Sequence, residues 1–317
     1  MLDVTRLRVI DALARLGSVT AAAKELHYTQ PTVSHHLSRL EAETGAQLLQ
    51  RAGRGIRLTP AGQLLASRAA EILGRIDAAD AELSAHVGLS AGRVRVASFS
   101  SVTGSLIPRA VAALTERHPG LQIGLTGTQP PEALELLRTG EIDVAIIFRY
   151  DDTEPEPPGV RLHHLLDDPL YLLSTSPGQT LPALRDATWI AGCERCRGHL
   201  LSLCADHGFD PRIGYVSEDM VVMQALVVAG LGVTTSPGLA LRAHHAEGVV
   251  ASELPGSRQH VYAATYGEPP DPPATTALLR ALADAAASIG GSSPTPGARS
   301  RRRGRGGRRM LPASAGT

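Results

Sequence analysis

Ser18 to Glu41 reads SVTAAAKELHYTQPTVSHHLSRLE, an order of residues that few folds accept. Ser18 to Thr20 can cap a short helix, in which Ala22, Ala23 and Leu26 are small or apolar enough for close packing. His27-Tyr28-Thr29 then makes a turn. Pro31 follows in the first turn of another helix, where its missing N–H costs nothing. Val33, Leu37, Leu40 and Thr44 line one face of that helix, leaving Thr32, His35, His36 and Arg39 to the other. Upstream, Val4, Leu7, Ile10 and Leu13 recur at helical spacing and predict a helix that ends near Gly17.

Two small helices joined by a turn form a pattern whose second helix lies in the major groove of DNA, its first residues facing base edges. Gln30, Thr32, Ser34 and His35 are polar groups of the right length to donate and accept there, and no carboxylate occurs from Gln30 to Leu40. The following LLQRAGRGIRLTPAG predicts two short strands around Ala52-Gly53, with Arg51, Arg54 and Arg57 projecting as a basic wing toward phosphates or the minor groove. The competing reading of the pattern alone is a solvated three-helix bundle that binds no nucleic acid.

Charge supports the first reading only weakly. The formal net charge is zero, yet both ends of the chain are basic and flank an acidic middle. The basic residues are arginines apart from Lys24, a skew of composition that weakens any argument from arginine count.

The run LARLGSVTAAAKELHYTQPTVSHHLSRLEAETGAQLLQRAGRGIRLTPAGQLL resembles the N-terminal domain of LysR-type transcriptional regulators. The resemblance rests on S-x-T-x-AA-x-x-L, Q-P-x-V-S, the LE pair with a following glycine, and R…LT-x-AG. It implies that Gln30, Pro31, Ser34 and His35 face the groove and that Arg54 lies on the wing; Thr32, Arg39 and Arg51 join them as candidate DNA contacts. Leu49 and His35 depart from the family's usual Phe and Arg or Gln.

From Pro60 the apolar spacing alternates between four and three: Leu65, Ala69, Ile72, Ile76, Ala79 and Leu83. That is a coiled-coil seam on a helix of about 40 Å. A single apolar stripe with no partner in its own domain predicts pairing with a second copy, and the resemblance implies the same. The alternative is a helix packed on its own C-terminal domain.

After GLSAG, short apolar strands (RVRVAS, LQIGLTG, DVAIIF) alternate with helices. A Pro/Asp/Glu-rich crossing at 151–159 leads to a second unit with PLYLLS, TWIAG, RIGYVS and GVTTS; HVYAATY and a helix over Pro273 to Ala287 close the chain. This predicts parallel α/β sheets in two halves with a ligand cleft between them. The phrases GRVRVA…LIP, HPGLQI, GEIDVAI and AGLGVTTSP resemble the effector domain of the same family, a periplasmic-binding-protein-like pair of lobes. The resemblance implies effector contacts at Ser100, Ser101 and Thr103; Thr128, Phe148 and Thr235 end other strands facing that cleft.

A rival reading comes from CERCRGHLLSLCADH. Cys193, Cys196, Cys204 and either His199 or His207 could supply the four ligands of a zinc site, or the C-x-x-C could respond to redox state. The chain would then be a metal- or redox-responsive regulator. Against a metal, a second C-x-x-C or H-x-x-x-H pair is missing, and Cys204 suits a helix core. G-x-S-x-G, H-E-x-x-H and the P-loop are absent. The pairs His163-His164 and His244-His245 fall in predicted loops without an evident acidic partner.

The expected fold is α+β and multidomain: a winged helix-turn-helix over 1–59, a linker and dimerisation helix over 60–87, a two-lobed α/β effector domain over 88–289, and a disordered arginine-rich tail over 290–317. The expected protein is a cytoplasmic, sequence-specific regulator of transcription rather than an enzyme. It uses no cofactor or structural metal and does not enter a membrane. Its expected partners are double-stranded promoter DNA, a small effector, a second or further copies of itself, and RNA polymerase.

Overall fold

The computed structural model describes residues 2–52, 55–86, 92–150 and 155–290. Helix α1 spans Val4–Leu16, with Asp3 accepting from the Thr5 and Arg6 amides at its start and Gly17 in the left-handed region at its end. Helix α2 spans Val19–Glu25 behind Ser18, and α3 spans Gln30–Thr44 behind Thr29, each cap hydroxyl accepting a first-turn amide. The α2–α3 turn carries His27 at a φ of 55°. Leu7, Ile10, Leu13, Val33, Leu37 and Leu40 meet in one core, so the predicted apolar faces are buried except at one end of each, where Val4 and Thr44 are exposed.

Strands β1, Leu49–Ala52, and β2, Gly55–Leu58, pair antiparallel as a wing. The LT-x-AG close has a mechanical reason. Thr59 donates to the Gln47 carbonyl at 2.7 Å and accepts from the Gly62 amide at 3.1 Å, capping α4, Pro60–His86. A Cβ on Gly62 would stand 2.2 Å from the Leu48 carbonyl oxygen, so only glycine lets this helix leave the wing at that angle.

The predicted seam on α4 divides. Leu65 and Ala69 pack with Ala66 and Leu73 into the α1–α3 core, while Ile72 and Ile76 are each 38% exposed and Leu64 is 62% exposed. The expectation of no partner within its own domain is therefore wrong for the first turns, because α1 lies along them. The Leu83 side chain falls outside the described residues, as do Gly88 and residues 291–317 of the predicted 290–317 tail, whose first residue, Gly290, ends the last helix instead.

The larger unit begins with β3, Arg93–Ser98; α5, Ser100–Arg117; β4, Gln122–Gly127; α6, Pro130–Arg138; and β5, Val144–Arg149. It continues through β6, Val160–Ser174; β7, Thr188–Ala191; α7, Glu194–Asp206; β8, Arg212–Val216; and α8, Met220–Val228. The last elements are β9, Thr234–Pro237; α9, Gly238–Ala243; β10, Val250–Tyr266; and α10, Pro273–Gly290. One six-stranded sheet has the order β4-β3-β5-β10-β6-β9, and β7 and β8 form a separate parallel pair.

Strands β3, β4 and β5 run parallel, with α5, α6 and α10 around them, and make the first lobe. Strands β7, β8 and β9 with α7 and α8 make the second, where Trp189 bridges to Val233. Strands β6 and β10, of 15 and 17 residues, pair antiparallel through both lobes. Their register shifts between Glu253 and Arg258, where the chain passes from one lobe to the other.

These crossing strands correct the sequence reading in one respect. Only PLYLLS and HVYAATY are legible as strands, yet β6 begins at Val160 and holds His163 and His164. His164 is not without an acid either: its Nε2 and the His260 Nδ1 each lie 2.8 Å from Asp167 Oδ1.

The two units touch along α4 and α6. Arg138 pairs with Glu71 and donates to the Ser67 hydroxyl at 3.1 Å, and the Arg75 guanidinium lies 5.8 Å from the Tyr266 ring centroid. Burial works to raise the Glu71 pKa, but hydrogen bonds from Arg68 and Arg138 hold it below the ordinary glutamate value.

Candidate functional site

The first surface is the exposed side of α3. Pro31, Ser34, His35 and Arg39 are exposed there, backed by buried Val33, Leu37 and Leu40. Gln30 is also exposed, and its amide reaches back to the Thr20 hydroxyl on α2, holding the side chain at the mouth of the turn. His36 packs beside Tyr28, ring centroids 5.7 Å apart, and presents an edge to His35. Tyr28, 41% exposed, is a member of this surface that the sequence reading did not single out.

Thr32 differs from expectation. Its hydroxyl lies 2.8 Å from that of Thr29, and its amide donates to Thr29 Oγ1, so the residue belongs to the helix cap. Arg51 and Arg57 are exposed on the wing, in register with Ile56 and Gln50 respectively. Arg54 lies outside the described residues. The first acid after the helix face, Glu41, turns inward and accepts the Leu48 and Leu49 amides at 2.8 and 3.0 Å. The outer face of α3 thus keeps hydroxyls, imidazoles and a guanidinium without a carboxylate among them, the chemistry needed beside base edges and phosphates.

The second site is a cavity of about 70 Å³ between the lobes, room for several water-sized molecules. Phe99, Ser100, Ser101, Gln129 and Phe148 line it from the first lobe. Ile190, Gly192, Cys193, Cys196, Glu218 and Met223 face them from the second, and Thr235 and Gln259 close it from β9 and β10. Phe99 and Phe148 meet edge to face at 4.9 Å and form the apolar wall. The start of α5 lies at the same space, behind Phe99, a cap that offers no side-chain acceptor to the first amides.

Of the predicted effector contacts, Ser100, Ser101, Phe148 and Thr235 come together here. Thr103 and Thr128 do not line the cavity: Thr103 donates to the Ser98 carbonyl at 3.2 Å, and Thr128 pairs with Glu132. Each hydroxyl serves its own turn, a local bond that spacing cannot distinguish from a ligand contact.

The residues that sequence missed are amides and a tyrosine. Gln129 donates to Glu218 at 3.0 Å, joining the lobes across the mouth of the cleft. Gln259, 1% exposed, donates from Nε2 to the Tyr150 hydroxyl at 2.7 Å. Its Oε1 is buried with no hydrogen-bond partner among the described residues. A buried amide oxygen left in that state costs about 1–3 kcal/mol, which an incoming donor would recover. Burial, the largest cause, and the nearby thiols keep the Tyr150 hydroxyl protonated well above pH 10.

The cysteines divide into two kinds. Cys193 caps α7, and its sulfur lies 2.8 Å from that of Cys196. Cys204 is fully buried in a different core with Trp189 and Leu200, and burial pushes its thiol up to about 11. The four-ligand zinc arrangement is therefore not assembled. Among the described residues, the one trio of His, Cys, Asp or Glu close enough to share an ion is His164, Asp167 and His260 on the crossing strands.

No helix among the described residues is long and apolar enough to cross a membrane. Residues 4–63 match the family model described as bacterial regulatory helix-turn-helix protein, lysR family, and 88–287 match the LysR substrate binding domain. TfdS of Cupriavidus pinatubonensis, an HTH-type transcriptional regulator, is 30% identical over 252 residues, covering 74% of this chain and 82% of the relative. CbbR of Rhodospirillum rubrum, another such regulator, is 30% identical over 237 residues, 72% of this chain and 77% of its own. The crystal structure of full-length CbnR complexed with its target DNA superposes with a TM-score of 0.63 at 24% identity, covering 90% of this chain and all of the other. With an N-terminal reading unit and a two-lobed ligand unit on one chain, the protein belongs to the LysR family of DNA-binding transcriptional regulators.

Proposed function

We propose that this regulator reads promoter DNA with Gln30, Pro31, Ser34, His35 and Arg39 of α3, while Arg51, Arg54 and Arg57 of the wing track phosphates. A small polar effector held between the lobes adjusts that binding. The observation that carries the second half is the cleft itself: Ser100, Ser101 and Thr235, the start of α5, and Gln259, whose Oε1 has no partner among the described residues, line one small cavity. An effector that satisfies all of them carries both an anionic or acceptor group, for the α5 amides, and a donor for Gln259. Its size is limited to a few non-hydrogen atoms unless the lobes part.

The unit boundaries at about residues 59, 87 and 289 follow the ends of the wing, of α4 and of α10. Leu64, Ile72 and Ile76 form the exposed apolar stripe on which a second copy pairs, and RNA polymerase is the further partner through which operator binding acts. Ser101→Leu tests the cleft: a promoter–reporter fusion carrying it should lose its response to the effector, while the purified variant keeps wild-type affinity for the operator. Retained induction would place the effector elsewhere.

A further inference from the structure

We propose that Cys193 and Cys196 are a redox dithiol set in the wall of the ligand cleft, closed to a disulfide by a peroxide-class oxidant, and that the closure resets the contact between cleft and crossing strand. The proposal rests on the cleft being the regulatory site.

Cys193 is the cap residue of α7, where helix-start amides and dipole favour a thiolate; its sulfur accepts the Cys196 amide at 3.4 Å. The Cys196 thiol hydrogen bond, with that amide, brings Cys193 down to about 7 against the opposing effect of burial. Cys196, bonded to that thiolate and half-buried, is pushed up and keeps its proton. One nucleophilic sulfur and one protonated neighbour within 2.8 Å need less than about 1 Å of movement to reach a sulfur–sulfur bond of ~2.05 Å. Both line a cavity that admits water-sized molecules, and hydrogen peroxide is scarcely larger.

The step balances. The Cys193 thiolate attacks one peroxide oxygen, an S–O bond forms and the O–O bond breaks, and the departing hydroxide takes a proton to become water. The Cys196 sulfur then attacks Cys193, the S–S bond forms and the S–O bond breaks, and the second hydroxide leaves with the Cys196 proton. Two thiols have supplied two electrons, and one peroxide has become two waters.

The dithiol also touches groups that reach the crossing strand. The Tyr150 hydroxyl bonds Cys196 and accepts from Gln259 on β10. The Tyr150 ring stacks on His199 of α7, centroids 3.8 Å apart and planes within 4°, and His199 in turn bonds the Ser257 hydroxyl of β10 at 2.9 Å. Ser257 lies within, and Gln259 just past, the register shift where β10 passes between lobes. A disulfide removes the sulfur acceptor that Tyr150 uses and shifts the first turn of α7, so both links to the crossing strand change together.

The experiment needs no effector. The reduced full-length chain is treated with equimolar hydrogen peroxide, alkylated and mapped by peptide mass spectrometry, with amide hydrogen exchange followed in parallel. The expected result is a Cys193–Cys196 disulfide, reversible by dithiothreitol and retained in Cys204→Ser, with a several-fold change in exchange over 257–261. Free thiols after treatment, a bond to Cys204, or a disulfide that leaves exchange unaltered would each overturn the proposal. So would tight binding of a trivalent arsenical with no disulfide under peroxide. The primary mapping is done on the wild-type chain, so the disulfide and the exchange change are read there whether or not Cys204→Ser folds. Failure of the reduced chain to bind DNA specifically would instead defeat the functional reading and leave the thiol result standing.

Discussion

Replacing Gly74 by alanine probes the contact between the reading unit and the effector unit. A Cβ at Gly74 would stand 2.7 Å from Gly140 Cα and from the Thr139 carbonyl oxygen, and 3.0 Å from the Gly140 nitrogen. All three are backbone atoms and cannot rotate away. Ordinary contact begins about 0.7 Å farther out, so α4 and the end of α6 must separate, at a typical overpacking cost of about 1–3 kcal/mol. Against this, alanine stabilises the α4 helix itself by roughly 1 kcal/mol. The two effects act on different observables: helix stability rises slightly while docking weakens, and the Arg138 bonds to Glu71 and Ser67 lengthen with it. Hydrogen exchange over residues 135–142 should accelerate several-fold in Gly74→Ala, and a Glu71→Ala change should cost less in that background than in the wild type. A variant with unchanged exchange and an undiminished Glu71→Ala effect would refute the close packing of the two units.

Three further outcomes follow from the same geometry. Alkylation of Cys193 in Cys204→Ser should rise with pH around a midpoint of about 7, because the thiolate is the reacting form and the Cys196 hydrogen bond holds it low against burial and the Glu218 charge, which both raise it; a midpoint near 8.5 or above would contradict it. Ile72→Glu should shift the chain toward monomer in sedimentation at micromolar concentration, since it places like charges on the exposed α4 stripe; an unchanged mass would make that stripe solvent-facing. Gln129→Ala removes the bond to Glu218 across the cleft, worth about 0.5–1.5 kcal/mol, and should raise exchange in the 217–223 segment without altering DNA affinity; unaltered exchange would mean the lobes are held elsewhere.

The reading unit was largely legible because its signals are local: Ser18 and Thr29 cap, Pro31 starts a helix, and Leu37 and Leu40 lie on one face of it. The α4 seam misled because spacings of four and three describe equally a helix packed on α1 and one packed on a copy. Thr32, Thr103 and Thr128 look like ligand hydroxyls in sequence and are bound within their own turns. The strand character of 160–166 was hidden because its side chains are half-buried and include His163 and His164. Gln259 and Tyr150 gave no signal, since they meet across 109 residues through the pairing of β10 with β5. C-x-x-C was visible, but that its first cysteine caps α7 at the cleft wall depends on where β7 ends.

The most direct test of the α3 assignment is selection of binding sequences from a randomised duplex library at one fixed salt concentration, run with the wild type, Ser34→Ala and Gln30→Ala. The expected result is a defined half-site for the wild type and a loss of about 1–3 kcal/mol of preference at one or two base pairs for each variant, with affinity for random DNA unchanged. Identical preferences in all three proteins would contradict the reading of DNA by this face of α3.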